Sequence, residues 1–172
     1  MAFPHTSGTG YTRLASLVFL MGEDKALEFE QKISECIHHY TKAGSACVTE
    51  VGLGEVAAGI AFSHDVIAKG IAKGYPVVLS FPKEGTGYEI GGMALIKGGP
   101  ELDLAKIFYD WMLSAEAQSL FKKWYRVPLN PEAELAEGLI TAEMVDLVDY
   151  DALWAAENRG RLCELWQMVT GY

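Results

Sequence analysis

Apolar positions recur at helical spacing over 9–21, where Tyr11, Leu14, Ala15, Val18 and Met21 share a face and Gly22 supplies a left-handed stop. That helix is apolar nearly all round and is expected to pack deeply. A second helix over 23–37 places Ala26, Phe29, Ile33 and Ile37 on one side with Glu and Lys opposite, the pattern of an amphipathic surface helix. Short apolar or β-branched runs at 55–62, 77–81 and 90–97 predict three strands, with a helix over 66–72 after the first. Gly59 inside the first run marks a place where something approaches the backbone. From Leu102 onward the pattern is helix after helix. Leu104, Ile107, Phe108, Trp111 and Met112 build one, Ser114 caps another that packs Ala117, Leu120 and Phe121, and Pro128 and Pro131 enforce a loop. A last helix over 151–168 carries Trp154, Leu162, Leu165 and Val169. Strands alternating with helices and then helices alone imply an α/β unit followed by a helical segment belonging to something else.

The composition narrows the function classes. The chain has 172 residues, 50% hydrophobic, enough for a substantial core and against disorder. Its 23 acidic and 14 basic side chains give a net charge of −9, the wrong sign for a nucleic-acid partner. No apolar run is long enough to span a bilayer, and the first residues do not read as a signal peptide. Cys36, Cys47 and Cys163 lie in apolar-periodic surroundings with no C-x-x-C pair, so they read as buried small side chains without a disulfide.

The candidate chemistry is sparse. Thr6-Ser7-Gly8-Thr9-Gly10 precedes the first helix, so backbone N–H groups, two glycines and hydroxyls converge on a helix N-terminus. This pattern suits either an anion site or a plain cap by Ser7 or Thr9. Gly52-Leu53-Gly54-Glu55-Val56-Ala57 spells a dinucleotide-like motif but precedes a predicted strand instead of a helix, and no P-loop is present. No cofactor is expected. His38 and His39 are neighbours whose side chains would diverge by about 100° on a helix, which points to solvated surface. Ser63, His64 and Asp65 end the first predicted strand, where α/β sheets present ligand groups, and equally suit a helix cap. Tyr88, in the glycine-containing link over 84–89, reads as a decorated turn or an aromatic lid. Gly8-Thr9-Gly10-Tyr11 recurs as Gly85-Thr86-Gly87-Tyr88 with unlike flanks, so the echo is no domain duplication.

Taken in order, these segments resemble a known family. They are Pro4 with Thr6-Ser7-Gly8-Thr9-Gly10-Tyr11, Met21-Gly22-Glu23, Tyr40-Thr41-Lys42-Ala43-Gly44-Ser45-Ala46, Gly54-Glu55-Val56-Ala57, Ala61-Phe62-Ser63-His64-Asp65, Phe81-Pro82 with Glu84-Gly85-Thr86-Gly87-Tyr88-Glu89, and Tyr150-Asp151 with Trp154 and Glu157-Asn158-Arg159. The likeness is to the iron(III)-type branch of periplasmic substrate-binding proteins of ABC transporters. It implies an α/β fold: one lobe of a type II periplasmic-binding-protein fold, a mixed sheet flanked by helices, plus a helical C-terminal segment of the other lobe. Residues 4–89 would form the second lobe and 90–172 the return strand and helical tail, with the family's N-terminal lobe absent.

The resemblance further implies ligand contacts at Thr6, Ser7, Gly8 and Thr9, a second polar contact at Ser45, and contributions from Ser63, His64, Asp65 and Tyr88. Iron-binding members carry adjacent tyrosines where His64 and Asp65 stand. A neutral nitrogen and one carboxylate form a poorer set for ferric ion than two phenolates, although the pair remains a possible metal site. The expected solute is small and anionic, a phosphate-bearing compound or a ferric complex. The expected partners of the full-length parent are a membrane permease and, for the exposed lobe surfaces, a second copy of the chain; the expected compartment is the periplasm. An enzyme using His64-Asp65 beside a helix-terminus phosphate site, or an effector-sensing domain of a regulator, are the rival classes. The first lacks a nucleophile motif and the second a helix-turn-helix pattern.

Overall fold

A computed structural model describes residues 1–172. The first helix, α1, spans Gly8–Met21 and buries Tyr11, Leu14 and Ala15 together with Thr12 and Ser16. The Ser16 hydroxyl is satisfied inside the helix, donating to the Thr12 carbonyl at 2.6 Å. Helix α2 spans Glu23–Ser34, so it stops short of the expected end at residue 37. Beyond it the chain turns, and there the His38 and His39 rings meet, Nδ1 to Nδ1 at 2.8 Å, instead of diverging. The helical geometry assumed for that pair is absent. Two short helices follow, α3 at Ala46–Gly52 and α4 at Ser63–Lys69, packed on each other.

The buried face of α2 differs from the one its periodicity predicts. Ala26 and Glu30 are buried, whereas Phe29 is exposed. Glu30 can be inside because it is paired: its carboxylate accepts from both terminal nitrogens of Arg13 on α1 and from the Trp166 indole N–H at 2.9 Å. Trp166 belongs to the last helix, α7, Ala152–Thr170, whose first turn is capped by the Asp151 carboxylate accepting from the Leu153 and Trp154 N–H groups. Helices α1, α2 and α7 pack mutually. Their shared core is Tyr11, Leu14 and Ala15 from α1 with Ala155, Leu162, Cys163 and Trp166 from α7. Cys47 and Cys163 are buried as expected, but Cys36 is exposed because it lies past the end of α2.

Residues 1–89 and 142–172 form one compact unit and 90–141 another. Within the second, α5 (Leu102–Met112) is followed by α6 (Ala115–Ser119), and Ser114 caps α6 by accepting from the Ala117 N–H. The Gln118 side chain is buried and accepts from the Leu129 and Asn130 N–H groups at 2.7 Å, which fixes the proline-flanked loop.

The three expected strands do not form. Backbone pairing of the β type is limited to isolated parallel bridges, Ala2 with Thr41 and Thr86 with Leu147. Segments 55–62, 77–81 and 90–97 carry the strand-like sequence but pair with no neighbouring strand, and Val78 is 91% exposed and Ile96 80%. A strand is held by its ladder, and an apolar run without a partner keeps its unpaired N–H and C=O groups in water. The exposed chain makes a direct prediction for hydrogen exchange. Amides of 78–81 and 90–97 will exchange at close to free-chain rates while those in the middle of α1 and α7 are protected; protection of 78–81 would show that these residues are paired.

Candidate functional site

Residues 1–7 approach α1 along a tight path. The Phe3 N–H donates to the Thr41 carbonyl at 3.0 Å, the Thr41 N–H to the Met1 carbonyl at 2.8 Å, and the Ser7 N–H to the Phe3 carbonyl at 3.1 Å. Gly10 makes this approach possible, since a Cβ there would lie 2.6 Å from the carbonyl oxygens of Ala2 and Phe3. Ser7 occupies the N-cap position with extended backbone, yet its hydroxyl makes no capping bond. The first helical bond is from the Tyr11 N–H to the Ser7 carbonyl, so the N–H groups of Gly8, Thr9 and Gly10 have no backbone acceptor. Of the two sequence alternatives, the plain side-chain cap is therefore not the one formed.

A second segment closes over this turn. Gly44 is pressed against the Thr9 side chain, and a Cβ on Gly44 would lie 3.1 Å from Ser7 Oγ. Next along the chain, Ser45 accepts from Lys69 Nζ at 2.6 Å. Lys69 also pairs with Asp65 at 2.9 Å, one turn earlier on α4, and Asp65 stands 3.7 Å from His64 Nε2. Thr6 lies at the edge, its hydroxyl donating to the Lys42 carbonyl at 3.3 Å. The structure thus brings together Ser7, Gly8, Thr9 and the 44–45 turn, and links Ser45 through Lys69 to Asp65 and His64. Ser63 begins α4 beside them, in the first turn of a helix instead of at the end of a strand.

Tyr88 is placed differently. Its ring meets Tyr150 at 5.9 Å, while Gly87 packs on Thr12 and Ser16 of α1. The following residue, Glu89, brings a carboxylate to the helix terminus: a Cβ on Gly8 would lie 3.4 Å from Glu89 Oε2. The repeated glycine motif therefore lies along the helix that its first copy opens.

Lys69 and Glu89 escaped sequence reasoning. The signal available for Lys69 was its spacing four residues after Asp65 on a helix; for Glu89 there was none. Lys69 also lines a cleft of about 490 Å³ with Thr49, Lys73 and Tyr75. No three His, Cys, Asp or Glu side chains converge as a metal cage, and His64 with Asp65 gains no third donor of that kind. Burial pushes the Tyr11 and Tyr40 phenols up to about 12, and raises Tyr150 as well, so these phenols stay neutral at physiological pH. No helix is long and apolar enough to cross a membrane.

The family model for bacterial extracellular solute-binding proteins matches residues 1–125. An uncharacterized protein of Haemophilus influenzae is 36% identical over 171 residues, which cover 96% of this chain and 49% of that protein. The fold is similar to that of the periplasmic binding protein AfuA from Actinobacillus pleuropneumoniae, solved with exogenous fructose-6-phosphate bound. The TM-score is 0.91 at 35% identity over 99% of this chain and 55% of AfuA. The periplasmic binding protein P5PA superposes with a TM-score of 0.87 at 33% identity, over 98% of this chain and 55% of P5PA. The chain spans about half the length of these relatives.

The contact at Gly10 sets a stability test. Gly10→Ala forces a methyl against two backbone carbonyls that cannot rotate away, and thermal unfolding should show a loss of about 1–3 kcal/mol or more. Gly91→Ala, where no atom lies within 4 Å, should stay within about 0.5 kcal/mol of the parent.

Proposed function

The chain belongs to the bacterial extracellular solute-binding proteins, and from that premise we propose that it carries one wall of a periplasmic receptor for a phosphorylated small solute, in the class of a sugar phosphate, delivered to an ABC-type importer. The observation that carries this reading is the open first turn of α1. Three N–H groups without backbone acceptors, the uncommitted hydroxyls of Ser7 and Thr9 and the positive end of a 14-residue helix form a seat for a compact dianion. The bound ligand of AfuA supports a phosphoester as its occupant.

The surrounding groups divide the ligand's work. Glu89 and Asp65 are acceptors suited to hydroxyl groups beside a phosphate, and Lys69 adds a cation next to Ser45. A ferric complex fits less well, since His64 and Asp65 supply one imidazole and one carboxylate without a third acidic, histidine or thiolate donor. Asp65 is held by Lys69 and is too far from His64, at 3.7 Å, to orient it by a hydrogen bond, which favours a carrier over an enzyme. In this proposal residues 1–89 and 142–172 belong to one lobe and 90–141 return toward the other. The second wall of the site comes from the other lobe, as the greater length of the relatives suggests.

Calorimetry with fructose 6-phosphate, fructose and inorganic phosphate tests the reading. The phosphoester should bind and fructose should not. Ser7→Ala and Thr9→Ala should each weaken the phosphoester by about 1.5–3 kcal/mol, roughly tenfold to a hundredfold, as hydrogen bonds to a charged group do. Affinity should fall as pH drops below about 6, where a phosphoester takes up its second proton. Equal binding of fructose, or affinity unchanged in the Ser7→Ala Thr9→Ala double variant, would refute the phosphate seat.

A further inference from the structure

We infer that Glu30, acting through Trp166 and Tyr40, is a positioning residue for the anion seat, holding the 40–46 segment against the first turn of α1; this rests on the proposed function for its meaning but not for its geometry. The contacts close a ring. Arg13 of α1 forks onto the Glu30 carboxylate, one oxygen of which also accepts the Trp166 indole N–H at 2.9 Å. Glu30 and Trp166 are both 0% exposed, so neither has water as an alternative partner. The fixed indole presents its face or edge to Tyr40 at 5.2 Å and 84° and to Phe3 at 6.2 Å and 86°, and the Tyr40 and Phe3 rings stack at 5.0 Å.

From Tyr40 the chain enters the segment that closes the seat. Thr41 pairs by backbone with residues 1–3, and Gly44 then rests on Ser7 and Thr9, back on the helix that carries Arg13. Both strips of chain that frame the seat, 1–7 and 40–46, therefore take their position from one aromatic stack, and that stack is oriented by one carboxylate. Tyr40 Oη is buried without a hydrogen-bond partner, so it is the ring and not the hydroxyl that Tyr40 contributes. Glu30 itself is on α2, off the framing strips, so its influence passes through side chains that do not bind solute. A buried ion pair is a weak source of stability compared with apolar packing of the same volume. What this one supplies is a single orientation for Trp166.

The test compares Trp166→Phe and Glu30→Gln with Arg161→Ala. Arg161 also joins α7 to α2, through a two-pronged pair with Glu23 at 2.7 and 2.8 Å, but it lies outside the ring of contacts. Two readouts are taken on each folded variant: hydrogen exchange, without ligand, of the Phe3, Ser7 and Thr41 amides, which are paired to the Thr41, Phe3 and Met1 carbonyls, and the affinity for fructose 6-phosphate. Trp166→Phe and Glu30→Gln should raise exchange at Phe3 and Thr41 and weaken fructose 6-phosphate by about tenfold or more. Arg161→Ala should lower the melting temperature while leaving both readouts at the parent's values. If either ring variant folds with parental exchange at Phe3 and Thr41, the positioning role is wrong. If the parent binds no phosphoester, the functional reading fails, and the ligand-free exchange still decides the positioning. If Trp166→Phe does not fold, Glu30→Gln and Tyr40→Leu, which removes the ring at the other end of the path, carry the same comparison.

Discussion

The structure of the larger unit turns on one carboxylate out of reach of water. Removing a charge from water costs several kcal/mol, and Glu30 recovers that cost only because three N–H donors from two other helices meet it. Each donor is a constraint. Arg13 fixes the rotation of α1 about its axis relative to α2, and Trp166 fixes α7 against both. Leu14, Ala15, Leu162 and the Trp166 ring supply the apolar burial around this point, but burial is non-directional and would tolerate small rotations. The hydrogen bonds do not. With α1 set in this way, its first turn meets the strips 1–7 and 40–46.

Part of this was legible in the chain. Helical spacing located α1, α2, α5 and α7, and Ser114 announced its cap, because these features depend on neighbours a few residues away. The side of α2 that turns inward was not legible. Read by period, Phe29 and Ile33 belong inside and Glu30 outside; the partners that reverse this, Arg13 and Trp166, lie 17 and 136 residues distant. The strand-like runs teach the complementary lesson. Val77, Val78 and Leu79 have the composition of a buried strand, but composition cannot supply the neighbour that a ladder requires, and here Val78 stays in solvent.

The seat shows the same division. Thr6 to Gly10 could be singled out because glycines and hydroxyls before a helix carry their chemistry in local backbone geometry. Ser45 came only from family resemblance, and the contacts that bring it near, Gly44 on Thr9 and Lys69 on Ser45, are long-range. Glu89 reaches Gly8 because the 85–89 link runs along α1, a path set by Gly87 against Ser16 and by the bridge between Thr86 and Leu147. In the proposed reading these pieces together supply donors for phosphate and acceptors for hydroxyls. Membership of a solute-binding family gives that combination a purpose.

The most direct measurement is a crystal structure of the chain soaked with fructose 6-phosphate. The account predicts phosphate oxygens within about 3 Å of the Gly8, Thr9 and Gly10 nitrogens, with the sugar directed toward Glu89 and Asp65. A phosphate held instead in the cleft of Lys69 and Lys73, with the first turn of α1 left to water, would contradict it.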